Sequence, residues 1–83
     1  MKIVYFAWVK QKVGVAEEIV APPPEVATVG QLVKWLRARS PGHAAALADD
    51  QVLRAAVNQS VVMADHPVRA GDEIAFFPPF TGG

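Results

Sequence analysis

The stretch TVGQLVKWLRAR, residues 28–39, decides how the rest of the sequence is interpreted. Thr28 and Gln31 have the spacing of a capping box, in which the Thr hydroxyl binds one backbone amide and the Gln side chain reaches back to another. The apolar residues behind them follow the i, i+3, i+4, i+7 pattern of one helix face: Val29, Leu32, Val33 and Leu36. The pattern predicts an amphipathic helix from about Val29 to Arg39, which ends at residues 40–42.

Segments rich in β-branched and aromatic residues precede and follow this helix in the sequence. Such residues favour extended backbone, so these segments are predicted to be strands. A single amphipathic helix covers one face of a sheet, so we expect a two-layer α+β domain with a mixed sheet of about five strands. In the simplest arrangement the first and last strands pair in the middle of the sheet. The predicted strands are residues 2–9, 15–20, 53–57, 61–63 and 73–77.

The segments before the helix carry further local signals. Residues 2–9 have apolar side chains on both alternating faces, which predicts a central strand covered on both sides. Residues 10–14 are interpreted as a hairpin loop with Gly14 at its strained position. The prolines at 22–24 lack backbone N–H groups and should end the second strand. Residues 43–48 are expected to form a short second turn of helix.

The composition limits the possible functions. The 83 residues are expected to form one domain, 1–83, without a cysteine and with eight basic and eight acidic residues. The absence of a basic block disfavours nucleic-acid binding, and no run approaches the ~18 apolar residues of a membrane span. We therefore expect a cytoplasmic protein that binds no nucleic acid and no membrane. A hydrophobic content of 52% indicates a dense core or an apolar patch for a partner.

No motif in the sequence is typical of a catalytic or metal site. His43 and His66 fall in different predicted loops and are expected to be ordinary surface residues with capping or turn roles. The acidic pairs at 49–50 and 72–73 are better explained by turns than by acid–base catalysis. We expect that the chain catalyses nothing on its own and binds no metal.

The last residues have an unusual composition. An apolar run, residues 76–80, leads through Thr81 to Gly82 and Gly83. Two glycines form a thin end that enters a narrow active site and adopts backbone angles closed to other residues. We expect residues from about 79 to 83 to form a flexible tail whose terminal carboxylate is the functional group. At least one aromatic side chain beside it should lie on the surface as an anchor for a partner, although a core strand with a frayed end would also fit.

Five short motifs are distributed along the chain: VYFA at 4–7, AVNQ at 56–59, DHP at 65–67, GDEI at 71–74 and FPPFTGG at 77–83. Together they resemble the small subunit of molybdopterin synthase, a ubiquitin-like sulfur carrier. The resemblance covers essentially the whole chain and is most specific in the FPP motif before the two glycines. It implies a ubiquitin-like β-grasp fold, in agreement with the predicted element order.

The resemblance also implies a role in molybdenum cofactor biosynthesis. An E1-like adenylyltransferase would use ATP to adenylate the carboxylate of Gly83, and a sulfur donor would displace AMP to leave a thiocarboxylate. Activation is needed because a carboxylate with a pKa of ~3.5 is ionised at neutral pH and is a poor electrophile. The large synthase subunit would then supply the pocket in which the thiocarboxylate attacks the pterin precursor. No cofactor would be bound permanently.

The resemblance assigns roles to individual residues. Gly83 carries the sulfur, and the tail residues before it are Phe80, Thr81 and Gly82. The expected partner contacts are Lys10, Val61, Phe77, Pro78 and Pro79. Three alternatives remain open at this stage: a sulfur carrier for thiazole, an amino acid or tRNA; a ubiquitin-like modifier joined to lysines; and a non-covalent interaction module.

Overall fold

A computed structural model describes residues 1–49 and 51–79 of the chain. Within them the chain forms five strands and three helices: two strands with a short helix between them, the main helix followed by a second short helix, and then three strands. The elements are β1 Lys2–Tyr5, α1 Ala7–Val13, β2 Glu17–Ile19, α2 Val29–Arg37, α3 Pro41–Ala46, β3 Arg54–Val57, β4 Ser60–Val62 and β5 Glu73–Phe77.

The five strands form one mixed sheet in the order β2-β1-β5-β3-β4. The two central strands, β1 and β5, are parallel, and the β1–β2, β3–β5 and β3–β4 pairs are antiparallel. The expected central pairing of the first and last strands is therefore confirmed. With α2 packed on one face, this is the two-layer α+β domain that the sequence predicts and the ubiquitin-like β-grasp arrangement that the resemblance implies.

Helix α2 begins at the predicted capping box. The Thr28 hydroxyl accepts a hydrogen bond from the Gln31 amide at 3.2 Å, and the Gln31 side chain accepts one from the Thr28 amide at 3.2 Å. The helix ends at Arg37, two residues before the predicted end. Its apolar stripe packs on the inner face of the sheet and completes the core. The side chains with exposure below 2% are Ile3, Tyr5, Val9, Leu32, Leu36, Leu47, Ile74 and Phe76.

The predicted strand over residues 2–9 and the hairpin loop after it are wrong beyond Tyr5. The Phe6 amide donates to the Phe76 carbonyl at 3.1 Å, and Ala7 then adopts a φ of 54°, which turns the chain into α1. Val9 is the buried residue of this helix. The last turn carries two lysines, whose positive charges interact favourably with the negative end of the helix dipole. A short apolar run fits a strand and a buried helix equally well, so periodicity does not separate them. Gly14 does have the expected left-handed conformation, with φ of 99°, as the C-cap of α1.

His43 is also not a surface residue, because its side chain is buried at 8% exposure in α3. Its Nε2 lies 2.7 Å from Glu18 Oε2, and its Nδ1 lies 2.7 Å from Ser40 Oγ. The Tyr5 hydroxyl donates to the same Glu18 oxygen at 2.7 Å. These four residues, called the Glu18 cluster below, join β1, β2 and α3. Sequence reasoning missed them because Glu18 and His43 are far apart in the chain.

The Glu18 cluster shifts the acidity of its members. Burial on its own raises the pKa of Glu18, but the hydrogen bonds from His43 and Tyr5 and the nearby charges of His43 and Arg39 together hold this pKa below its ordinary value. Burial, followed by the hydrogen bond to Glu18, raises the pKa of Tyr5 far above its ordinary value. The cluster therefore keeps Glu18 ionised and Tyr5 protonated at neutral pH.

Candidate partner-binding surface

Within residues 1–49 and 51–79, all three helices lie on the same face of the sheet. In β1 and β5, every second side chain points into the core, and the residues between them point to the other face. Val4, Ala75 and Phe77 are accordingly only partly buried, although all three are apolar. A sheet face with apolar side chains and no covering layer is typical of a binding surface.

The apolar residues of this face form one continuous concave surface, here called the sheet-face patch. Phe6 follows β1 and is 50% exposed, and Val61 of β4 is 70% exposed, so both large side chains lie open to solvent. Pro78 and Pro79 continue the patch beyond the end of β5. The residues that line it are Val4, Phe6, Ala7, Ala56, Gln59, Val61, Glu73, Ala75, Phe77, Pro78 and Pro79.

The structure brings together most of the predicted partner contacts that it describes. Val61, Phe77, Pro78 and Pro79 all lie in the sheet-face patch. Lys10 is exposed on α1 and does not line the patch. The predicted tail residues 80–83, including the proposed sulfur-bearing glycine, lie outside the described residues. Pro79, the last residue described before them, lines the patch.

Sequence reasoning missed Phe6 as a surface residue. The alternation in residues 2–9 was correctly taken to show apolar side chains on two faces, but the second face was expected to be covered by the protein itself. Within the described residues all three helices pack on the core side, so Val4 and Phe6 are left on the open side. The chain has more apolar residues than one layer of helices can cover. This excess is the signal in the sequence that indicated a surface for a partner.

A tight turn positions the β4 end of the patch. Asn58 and Gln59 have φ of 49° and 74°, the left-handed values of a type I′ hairpin turn. The Asn58 side chain accepts from the Glu73 amide at 3.0 Å and donates to the Asp72 carboxylate at 3.0 Å, which fastens the hairpin to β5. The Asp72 carboxylate also accepts a hydrogen bond from the Arg69 amide at 2.9 Å. The bond from Asn58, and after it the bond from Arg69, lower the pKa of Asp72. Asp72 thus has the turn role that the sequence predicts.

One side of the patch has a polar border. Glu73, which lines the patch, lies 3.8 Å from the Lys2 ammonium group, and Glu17 lies 3.7 Å from the same group. All three side chains are substantially exposed, so these ion pairs contribute little to stability. These charged groups give the apolar centre of the patch a polar edge. A partner that docked on the patch would need complementary charges opposite this edge.

Neither a metal-binding cluster nor a membrane-spanning helix is found in the part of the chain that the structure describes. No group of three or more His, Cys, Asp or Glu residues in it has an arrangement that holds a metal ion. None of the helices in residues 1–49 and 51–79 has the length and apolar character needed to cross a membrane. The dominant feature is the sheet-face patch, and its geometry is that of a docking surface.

The match to a family model agrees with this geometry. The model of the ThiS family matches residues 3–83. The chain belongs to the ThiS family. It is 48% identical over 84 residues to the molybdopterin synthase sulfur carrier subunit of Escherichia coli strain K12, with 100% of this chain and 99% of that protein covered. It is 32% identical to the protein of the same name from Haemophilus influenzae, with 100% and 99% covered.

The fold of this ThiS family chain is also found in a solved structure. The crystal structure of small archaeal modifier protein 1 of Haloferax volcanii superimposes with a TM-score of 0.79 and 25% identity, and covers 96% of this chain and 97% of that one. These likenesses run nearly from end to end. The family match therefore includes the residues of the whole sheet and of the segment that leads to residues 82–83.

Proposed function

We propose that this protein is the sulfur carrier of molybdopterin biosynthesis, a non-catalytic subunit that delivers sulfur from the carboxyl group of Gly83. One observation carries the proposal. An open apolar face on the sheet leads through Pro78 and Pro79 toward two glycines, in a chain that is 48% identical along its whole length to a molybdopterin synthase sulfur carrier subunit.

The proposed chemistry begins at the Gly83 carboxylate. An E1-like adenylyltransferase joins this carboxylate to the α-phosphate of ATP, with release of pyrophosphate. A sulfur donor then displaces AMP, so that the C–O bond to AMP breaks and a C–S bond forms. In the large synthase subunit, the thiocarboxylate sulfur forms a C–S bond to a carbon of the pterin precursor, and an oxygen substituent leaves that carbon. Water then cleaves the bond between the sulfur and the Gly83 carbonyl carbon, so that the sulfur stays on the pterin and Gly83 returns to the carboxylate. Gly82, with no side chain, lets this end enter two narrow sites in turn.

The sheet-face patch supplies the binding free energy that this cycle needs. Ordering the tail in an active site costs about 1–2 kcal/mol per residue in backbone entropy. Phe6, Val61 and Phe77 offset that cost because burial of a large apolar side chain contributes about 1.5–3 kcal/mol. The adenylyltransferase and the large subunit are the proposed partners at this face. Lys10, on the neighbouring helix, is proposed to add a polar contact.

The proposal is tested by following the mass of the chain. The purified protein is incubated with an E1-like adenylyltransferase, ATP and a sulfide source, and its intact mass is measured before and after. We expect the mass increase of one oxygen replaced by sulfur, and its loss when the large subunit and the pterin precursor are added. A mass that stays constant while ATP is consumed would refute the thiocarboxylate step. The matched control lacks Gly83 and should show no change.

A second function is favoured by the likeness to the small archaeal modifier protein. The same adenylate, attacked by a lysine amine instead of sulfur, would give an isopeptide bond to another protein. The two outcomes differ in the product: a thiocarboxylate on the free chain, or a conjugate of higher mass that resists reducing agents. We expect the first outcome, because the curated relatives that cover the whole chain are sulfur carrier subunits.

A further inference from the structure

A second concave surface lies on the helix side of the sheet, away from the sheet-face patch. It runs between α2 and the strands β3 and β4, has a volume of about 680 Å³, and is called the α2 groove here. Val33, Lys34 and Arg37 form its α2 side. Leu53 and Met63 contribute from the strand side. Nothing in the proposed sulfur transfer uses this groove.

The floor of the α2 groove is apolar. Val33, Leu53 and Phe76 reach it from the core and are themselves buried, at 6%, 9% and 0% exposure. Met63 stands on its rim with 78% of its surface exposed, the largest value among the exposed large hydrophobic residues described. A flexible thioether at such a place adapts to apolar side chains of different shape. The groove therefore suits an apolar side chain from outside.

The rim of the groove is positively charged. Lys34 and Arg37 are three residues apart on α2 and so lie side by side, and Arg54 lines the groove from the start of β3. No Asp or Glu is among the lining residues, and neither Lys34 nor Arg37 is in an ion pair within residues 1–49 and 51–79.

Arg37 is held in place before any ligand arrives. Its Nε donates a hydrogen bond to the Leu47 carbonyl at 2.6 Å, which fixes the guanidinium at the groove. A guanidinium fixed in this way pairs with carboxylates at a lower entropic cost than a mobile one.

We propose that the α2 groove binds an acidic peptide segment of a partner protein. An apolar side chain of the peptide inserts beside Met63 and over Leu53, and flanking carboxylates pair with Lys34 and Arg37. A neutral apolar peptide would leave the two cations without partners, and a purely acidic one would leave the floor uncovered. Nucleic acid is disfavoured, because the chain has eight acidic residues to balance its eight basic ones.

The position of the groove gives this binding a distinct role. Because the groove and the sheet-face patch lie on opposite sides of the sheet, a peptide in the groove leaves the patch accessible. A partner with an acidic segment could hold the carrier while a second protein docks on the sheet face. The inference does not depend on the sulfur-carrier function, since it uses neither the patch nor Gly83.

The experiment uses random twelve-residue peptides displayed on phage. They are selected on the full-length protein and depleted on the Lys34→Glu/Arg37→Glu double variant. The most enriched sequence is then synthesised and titrated into the 15N-labelled protein. We expect carboxylates together with an apolar residue in the enriched peptides, and chemical-shift changes in α2, β3 and β4. Affinity should fall at least about tenfold in the double variant.

A matched control separates groove binding from simple charge attraction. The Lys12→Glu/Arg69→Glu variant changes the net charge by the same amount at exposed positions outside the groove, and should bind the peptide within about twofold of wild type. The proposal is overturned if no sequence is enriched, if enriched peptides lack carboxylates, if both double variants bind equally weakly, or if the shift changes fall on the sheet-face patch. The Lys34→Glu/Arg37→Glu protein should still form the thiocarboxylate, because the groove takes no part in the proposed sulfur transfer. A protein that binds the peptide but forms no thiocarboxylate would count against the proposed function and not against the groove.

Discussion

Replacing Phe6 by Ala tests the sheet-face patch most directly. Phe6 is 50% exposed, so about half of its side chain is already out of water and the other half is available to a partner. A Phe side chain offers roughly 200 Å², and burying about 100 Å² at ~25 cal/mol per Å² contributes about 2.5 kcal/mol. We expect the dissociation constant for the large synthase subunit to rise about 60-fold.

The stability of the variant should change little, since a half-exposed side chain at the end of a strand contributes less than a core residue. Affinity is measured by isothermal titration calorimetry and the melting temperature by calorimetry of the free protein. Phe76→Ala is the matched control: Phe76 is 0% exposed, and its loss should cost about 3–5 kcal/mol of folding free energy. An affinity within threefold of wild type, or a melting temperature that falls as far as in the control, would refute the reasoning.

Three further predictions concern the tail and the fold. Deletion of Gly83 should abolish thiocarboxylate formation and leave the melting temperature unchanged; residual formation by intact mass would contradict the mechanism. Gly42→Ala should destabilise the protein by roughly 1–3 kcal/mol in urea unfolding, because a Cβ at Gly42 would lie 2.6 Å from the Lys12 carbonyl oxygen; unchanged stability would show that α1 and α3 move apart freely. Glu18→Gln should be less stable than wild type at neutral pH, and the difference should shrink below pH 4.5. The lowered pKa of Glu18 contributes stability above its ordinary value of 4.5 that is lost as the folded form protonates, so a constant difference would contradict this.

The helices and strands that the sequence predicted are those encoded by neighbouring residues. Each of these signals involves residues that are close together in the sequence. They are the capping box of Thr28 and Gln31, the apolar stripe of α2 and the alternation of β5. The part that failed, α1, depends on the Phe6 amide binding the carbonyl of Phe76, which lies at the other end of the chain. His43 was misjudged for the same reason, because Glu18 reaches it only after β2 has paired with β1.

The candidate site was partly predictable. Val61 and Phe77 were expected on a contact surface, and both lie in the sheet-face patch. Phe6 was not expected there, since periodicity shows that a strand has two apolar faces but not which of them the protein itself will cover. The second concave surface, with Lys34 and Arg37 on its rim, has no sequence motif and follows only from how α2 lies against β3 and β4.

The pairing of β1 with β5 has a consequence for how the protein is made. Among the described strands, β5 is synthesised last, yet it occupies the middle of the sheet, between β1 and β3. Until residues 73–77 have been made, β1 has no central neighbour and the core lacks Ile74 and Phe76, so the sheet cannot close before then. The sheet-face patch is likewise incomplete until β5 supplies Ala75 and Phe77. A partner that recognises this patch would therefore bind only molecules that have finished folding.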